Sequence, residues 1–143
     1  MEIKFHSTVI MSEEFEQMKL FYQNILQQKI EFDFGICVGF QNGLSLWKLK
    51  EEYPIVKKLG RIFDKSGNKN LEICFETDDF ELVVENLKNY QLQYLHEETE
   101  ELWGQHTIRF YDYPQLYLTL PYQVSSTAAT ISRSNKSFPK YLR

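Results

Sequence analysis

The sequence holds two cysteines and three histidines, and neither type is clustered. Cys37 and Cys74 stand far apart inside predicted strands, which suits two buried, reduced thiols and leaves no CxxC redox or metal motif. GxSxG, P-loop and HExxH patterns are absent as well, so hydrolase, nucleotidase and zinc-protease readings have no foothold. Positive charge is in deficit: 16 Lys and Arg against 20 Asp and Glu give a net charge of −4 and a pI of 5.4. Such a chain has no global field with which to gather phosphates, and no nucleic-acid partner is expected. No apolar run approaches the roughly 20 residues that span a bilayer. The opening MEIKFHSTVIMSEEF carries acids where a signal peptide is basic. No membrane partner is expected, and the expected location is cytoplasmic.

What is present is ordinary in bulk and informative in order. At 143 residues the chain suits one well-packed core. Its 43% hydrophobic and 25% charged residues are those of a globular protein. Eleven Phe and nine Tyr are many for this length; they suit either the lining of a ligand pocket or aromatic packing with exposed Tyr.

An internal echo organises the chain. SEEFE at Ser12 to Glu16 and TDDFE at Thr77 to Glu81 stand about half a chain apart. Each follows a strand-like run and opens a helix-like one, with Ser12 and Thr77 as N-cap candidates and acids at the positive end of the helix dipole. Phe15, Met18, Phe21 or Tyr22, and Ile25 recur at helical spacing; so do Phe80, Val83 or Val84, and Leu87. Three strand candidates follow each helix: Lys29 to Phe34, Ile36 to Phe40 and Leu44 to Leu49 in the first half, Leu92 to His96, Gln105 to Asp112 and Gln115 to Leu120 in the second. Turn residues such as Gln41-Asn42-Gly43 and Tyr113-Pro114 bound them. The predicted fold class is α+β, built of two βαβββ modules over about residues 2–50 and 70–120. A polar connector, 51–69, with a short helix around Ile55 to Leu59, joins them. One domain, 1–121, is thereby predicted, followed by a polar C-terminal tail, 122–143, outside the core.

Strand alternation sorts the side chains into two faces. Leu71, Ile73 and Phe75 oppose Glu72, Cys74 and Glu76. Ile108 and Phe110 oppose Thr107, Arg109 and Tyr111, while Leu116, Leu118 and Leu120 oppose Tyr117 and Thr119. In the first strand Lys4, His6, Thr8 and Ile10 share a side, and Ser45, Trp47 and Leu49 share one in the strand that ends the first half. The apolar sets belong under the helices. The polar sets either line a concave cavity or form the wet face of an antiparallel sheet. His96 and His106 fall off the polar face and read as solvated histidines; Glu97, Glu98, Glu100 and Glu101 read as a solvated loop.

With His6 followed by Phe21-Tyr22, the pattern LEICFETDDFE from Leu71, and WGQHTIRFYDYPQLYLTL from Trp103, the chain resembles the vicinal-oxygen-chelate superfamily of glyoxalases, fosfomycin and bleomycin resistance proteins and extradiol dioxygenases. The resemblance covers residues 2–120. It implies curved mixed sheets around a concave cavity, a small-molecule ligand and a homodimer. In metal-dependent members a divalent ion (Zn, Ni, Mn or Fe) sits on ligands from both modules. The corresponding positions here are His6, Glu72, Thr119, and Ser45 or Trp47, of which only His6 and Glu72 bind metal well. The family's DPDG turn is altered to Asp112-Tyr113-Pro114-Gln115. A Lewis-acid site generally needs about three protein ligands. The expectation is therefore a degenerate metal site, with no cofactor or an incompletely held divalent metal. A small anionic or aromatic molecule would be held by Thr8, Trp47, Thr107, Arg109, Tyr111, Tyr117 and Thr119, with Arg109 for charge and Trp47, Tyr111 and Tyr117 for stacking. The other implied activity is a divergent divalent-metal-dependent enzyme, like lactoylglutathione lyase or an extradiol dioxygenase, using His6 and Glu72.

Overall fold

A computed structural model of the protein describes residues 1–60, 71–102, 104–111 and 128–133. The chain divides into two compact units, Met1–Asp64 and Lys65–Arg143. The first contains β1 (Thr8–Ser12), α1 (Phe15–Leu20), β2 (Ile30–Asp33), β3 (Cys37–Phe40), β4 (Leu44–Lys48) and α2 (Pro54–Leu59). The second contains β5 (Glu72–Thr77), α3 (Phe80–Leu87), β6 (Tyr94–Glu100), β7 (His106–Tyr111) and β8 (Ala128–Arg133). Among the described residues each unit holds one four-stranded sheet, in the orders β1-β4-β3-β2 and β5-β8-β7-β6. The pairs β1/β4 and β5/β8 are parallel and the rest antiparallel, so both sheets are mixed. The two-module α+β architecture expected from the echo is present.

The echo is structural as well as sequential. Ser12 Oγ accepts from the Glu14 amide at 3.0 Å, and Thr77 Oγ1 accepts from the Asp79 amide at 3.1 Å. These hydroxyls close a turn before the helix instead of capping it. The helix caps are Glu14 and Asp79, and of the two only Asp79 accepts a side-chain bond, from the Leu82 amide. In the first unit Phe15, Met18, Phe21 and Tyr22 are buried. A π-helical turn over Phe21–Ile25 continues α1, closed by the Leu26 amide on the Phe21 carbonyl. Its wider winding lets the adjacent Phe21 and Tyr22 both face the core. The Tyr22 ring lies 5.9 Å from that of Phe40, and Val38, Leu44 and Leu46 are buried in the same unit; in the second unit Phe80, Leu87, Ile108, Phe110, Ala129 and Ile131 are buried.

Three strands differ from the sequence-based expectation, one of them β6, which runs on to Glu100 beyond the expected end at His96. The first strand begins at Thr8, leaving His6 and the alternating Ile3 and Phe5 exposed before it. Its partner β4 sets this limit: β4 opens at Leu44 after a turn at Gly43 (φ +83°), whose carbonyl takes the Thr8 amide, so among the described residues β4 offers no partner to the chain upstream. The last strand of the second sheet is Ala128–Arg133, within the stretch predicted as a polar tail. Its Ser and Thr are not solvated: Thr130 and Ser132 are buried between β5 and β7, and alternate with buried Ala129 and Ile131 on the other face. The predicted strand Gln115 to Leu120 lies outside the described residues. The expected short helix in the connector is α2, started by Pro54 and stopped at Gly60 (φ +72°).

Candidate functional site

The second sheet carries a polar row across its face. Register aligns Cys74 with Thr130, Thr130 with Arg109, and Arg109 with His96, so one side chain from each strand lies side by side. Arg109 is the hub. Its Nε donates to Glu72 Oε1 at 3.0 Å, and its Nη1 donates to Glu101 Oε1 and lies 2.8 Å from His96 Nε2. Thr130 donates its hydroxyl to the same Glu72 oxygen, and the Cys74 sulfur stands 3.7 Å from it. Thr107, fully buried, donates to Glu101 at 2.9 Å.

The electrostatics follow from these bonds. The hydrogen bond from Arg109, seconded by that from Thr107, holds the Glu101 carboxyl below the usual carboxylate range. Partial burial works against the Arg109 charge, but its bonds to Glu101 and Glu72 outweigh that and raise it. Cys74 is exposed and not buried as its strand position suggested; partial desolvation of its sulfur, with the neighbouring Glu72 charge, pushes the thiol up. One guanidinium thus faces two carboxylates, and the network is negative by about one charge in the ordinary ionisation states.

Of the residues expected at the site, Glu72 and Arg109 meet directly, and Thr107 joins them through Glu101. Tyr111 lies two residues beyond Arg109 on the same strand and is half-buried. Trp47 belongs to the first unit, where its ring stacks on Tyr53 at 5.5 Å. Thr8, expected on the same side as the site, pairs with Leu44 and so lies on the face of the buried leucines, whereas Val9 and Met11 neighbour Ser45 and Trp47. His6 lies outside the strand, exposed, with Nδ1 3.2 Å from Ser7 Oγ. Tyr117 and Thr119 lie outside the described residues.

Strict alternation missed His96 and the acid run missed Glu101. The β6/β7 register slips between Tyr94 and His96: Tyr94 pairs with Phe110 but His96 pairs with Arg109. This bulge inserts one residue and turns His96 onto the face it would otherwise avoid. Glu97 to Glu100 continue β6 instead of forming a loop, and Glu101 follows directly. No residue type in the sequence announces the slip.

The donors do not fit a divalent ion. Glu72 Oε1 is taken by Arg109 and Thr130, and a cation there would sit against the guanidinium. Among the described residues no group of three or more His, Cys, Asp or Glu is placed to ligate a metal.

A glyoxalase-like domain model matches residues 5–121. The chain belongs to the glyoxalase-like domain family. That match ends before β8, which the structure adds to the second sheet. No curated protein sequence matches the chain. Among solved structures, a protein of unknown function from Agrobacterium tumefaciens str. C58 is 21% identical with a TM-score of 0.72, over 94% of this chain and 97% of that one. A lactoylglutathione lyase from Agrobacterium tumefaciens is 13% identical with a TM-score of 0.60, over 92% and 93%. The genomically encoded fosfomycin resistance protein FosX of Listeria monocytogenes is 12% identical with a TM-score of 0.63, over 95% and 97%. These likenesses establish the glyoxalase/bleomycin-resistance/dioxygenase fold. No helix among the described residues is long and apolar enough to cross a membrane.

Proposed function

We propose that this glyoxalase-like protein binds a small, partly aromatic molecule on the Arg109 face of its second sheet, without a catalytic metal there. The observation that supports this reading is the cross-strand network that fixes the guanidinium through Nε and Nη1, with Tyr111 two residues along for ring contact. Arg and Tyr together suit a flat, polar ligand, because a guanidinium both donates hydrogen bonds and lies against rings. The surplus carboxylate favours a neutral or weakly acidic aromatic over a fully charged anion, which would have to approach Glu72 and Glu101. The metal-dependent lyase or dioxygenase reading, by contrast, requires Glu72 to leave Arg109 and Thr130. We further propose a cytoplasmic homodimer, a reading supported by edge strands with exposed apolar side chains such as Val9 and by two free thiols; light scattering at micromolar concentration showing only monomer would remove the dimer.

Calorimetric titration with aromatic carboxylates and the neutral amides of the same rings tests the ligand reading. The wild type is expected to bind the amides more tightly than the carboxylates, and Arg109→Ala to lose about 1.5–3 kcal/mol, the scale of a charge-assisted hydrogen bond. Equal affinity of both proteins for every probe would overturn it.

A further inference from the structure

His96 has two ring nitrogens, and its neighbours leave each only one role. Nδ1 lies 2.7 Å from the Glu97 carbonyl oxygen, which can only accept, so Nδ1 carries the proton. Nε2 lies 2.8 Å from Arg109 Nη1, which can only donate, so Nε2 carries a lone pair. The ring is therefore specified as neutral and in its Nδ1–H form.

We infer that His96 is a positioning residue: as the neutral Nδ1–H tautomer it accepts from Arg109 and fixes the guanidinium for the ligand, and protonation of its ring releases that hold. The inference rests on the ligand reading above only for its functional consequence. A second observation supports it. The bulge that aims His96 recurs in the first module, where the register slips between Ile30 and Phe32 and sets Phe32 against Gly39 as His96 is set against Arg109. The backbone device is common to both modules, and only the second loads it with a titratable acceptor and a fixed cation.

The groups facing the imidazole are Arg109 from β7, the Glu97 carbonyl on its own strand and the Glu101 carboxylate beyond it; Glu72 from β5 and Thr107 from β7 act through Arg109 and Glu101. A protonated ring would present an N–H to a donor-only guanidinium. That hydrogen bond has no acceptor and must break. Arg109 would then be held by Glu72 and Glu101, with the Thr107 hydroxyl 3.4 Å from Nη1.

The experiment uses the whole chain and needs no ligand for its first arm. Long-range proton-nitrogen correlation of the histidine rings, above the imidazole titration range, is expected to show His96 in a single Nδ1–H form. An Nε2–H or mixed tautomer would overturn the inference even if probes bind. In the second arm the Arg109 Nε–H resonance is followed in His96→Leu, which removes the acceptor, and His96→Gln, which restores one as an amide oxygen. The expected result is a shifted or exchange-broadened signal in the first variant and recovery in the second; an unchanged signal in both would contradict the positioning role. With benzoate and benzamide as probes, affinity should fall roughly tenfold in His96→Leu, the effect of one lost hydrogen bond, and return in His96→Gln. If neither probe binds the wild type while the tautomer is as expected, the ligand reading fails and the positioning of Arg109 stands.

Discussion

The two modules place the same backbone features under different side chains. In the first, Phe32 pairs with Gly39, and a Cβ on Gly39 would lie 2.2 Å from the Phe32 ring, so the ring occupies the space the glycine leaves. In the second, the equivalent pair is His96 and Arg109. Neighbouring positions follow suit: Ser45 stands beside Gly39 where Thr130 stands beside Arg109, and Trp47 beside Cys37 where Ser132 stands beside Thr107. The two modules share the core and the bulge but differ on the face opposite the core. One module fills that face with rings, the other with a charged network.

If the cores are equivalent, the largest and most symmetrical losses come from them. Phe40 and Phe110 are each essentially unexposed, and Phe40→Ala and Phe110→Ala should each cost about 3–5 kcal/mol in urea unfolding. A well-tolerated change at either would break the equivalence. Next in size is the glycine that makes room for a ring. Gly39→Ala should cost about 1–3 kcal/mol by overpacking, and Phe32→Ala in the same chain should recover much of it, a coupling that a double-mutant cycle reads directly. Additive effects would mean the ring is not what the glycine accommodates.

The helix starts offer a smaller contrast. Asp79→Ala removes a side-chain cap and should cost about 1 kcal/mol, whereas Glu14→Ala, at a cap position with no side-chain bond, should stay within about 0.5 kcal/mol of the wild type. Equal losses would show that the two starts are alike after all. Smallest is an acid effect of which each module supplies an example. The hydrogen bond from Lys19, then that from the Gly35 amide, holds Asp33 below its ordinary value, as Arg109 and Thr107 hold Glu101. A carboxyl lowered in the folded state stabilises fully above its unfolded value, near pH 4, and loses that contribution as pH falls through the lowered folded value. The urea midpoint should therefore drop as pH falls below about 4, less steeply in Glu101→Gln and in Lys19→Met; identical profiles in all three proteins would remove the claim.

Much of this was legible in the sequence because it rests on periodicity. The echo SEEFE and TDDFE marks both helices, and alternation around Ile108 and Phe110 marks a buried face and a polar one. What escaped depends on pairing between strands. The slip that turns His96 toward Arg109 leaves no trace in residue types, since Tyr94, Leu95 and His96 fit an unbroken strand equally well. Thr130 and Ser132 resembled a solvated tail because small hydroxyl residues gain burial only when a sheet closes over them on both sides. Glu101 resembled the other acids of its run until Arg109 and Thr107 singled it out.

The central claim is that the second module's face, and not its counterpart in the first, meets the ligand. Backbone amide shift mapping with benzoate and benzamide on the full chain tests this most directly. Perturbations are expected to concentrate at His96, Thr107, Arg109, Tyr111 and Thr130 and to be lost in Arg109→Ala, with Phe32, Gly39 and Ser45 unmoved. Perturbations centred on Phe32, Gly39 and Ser45, with the Arg109 row silent, would contradict it.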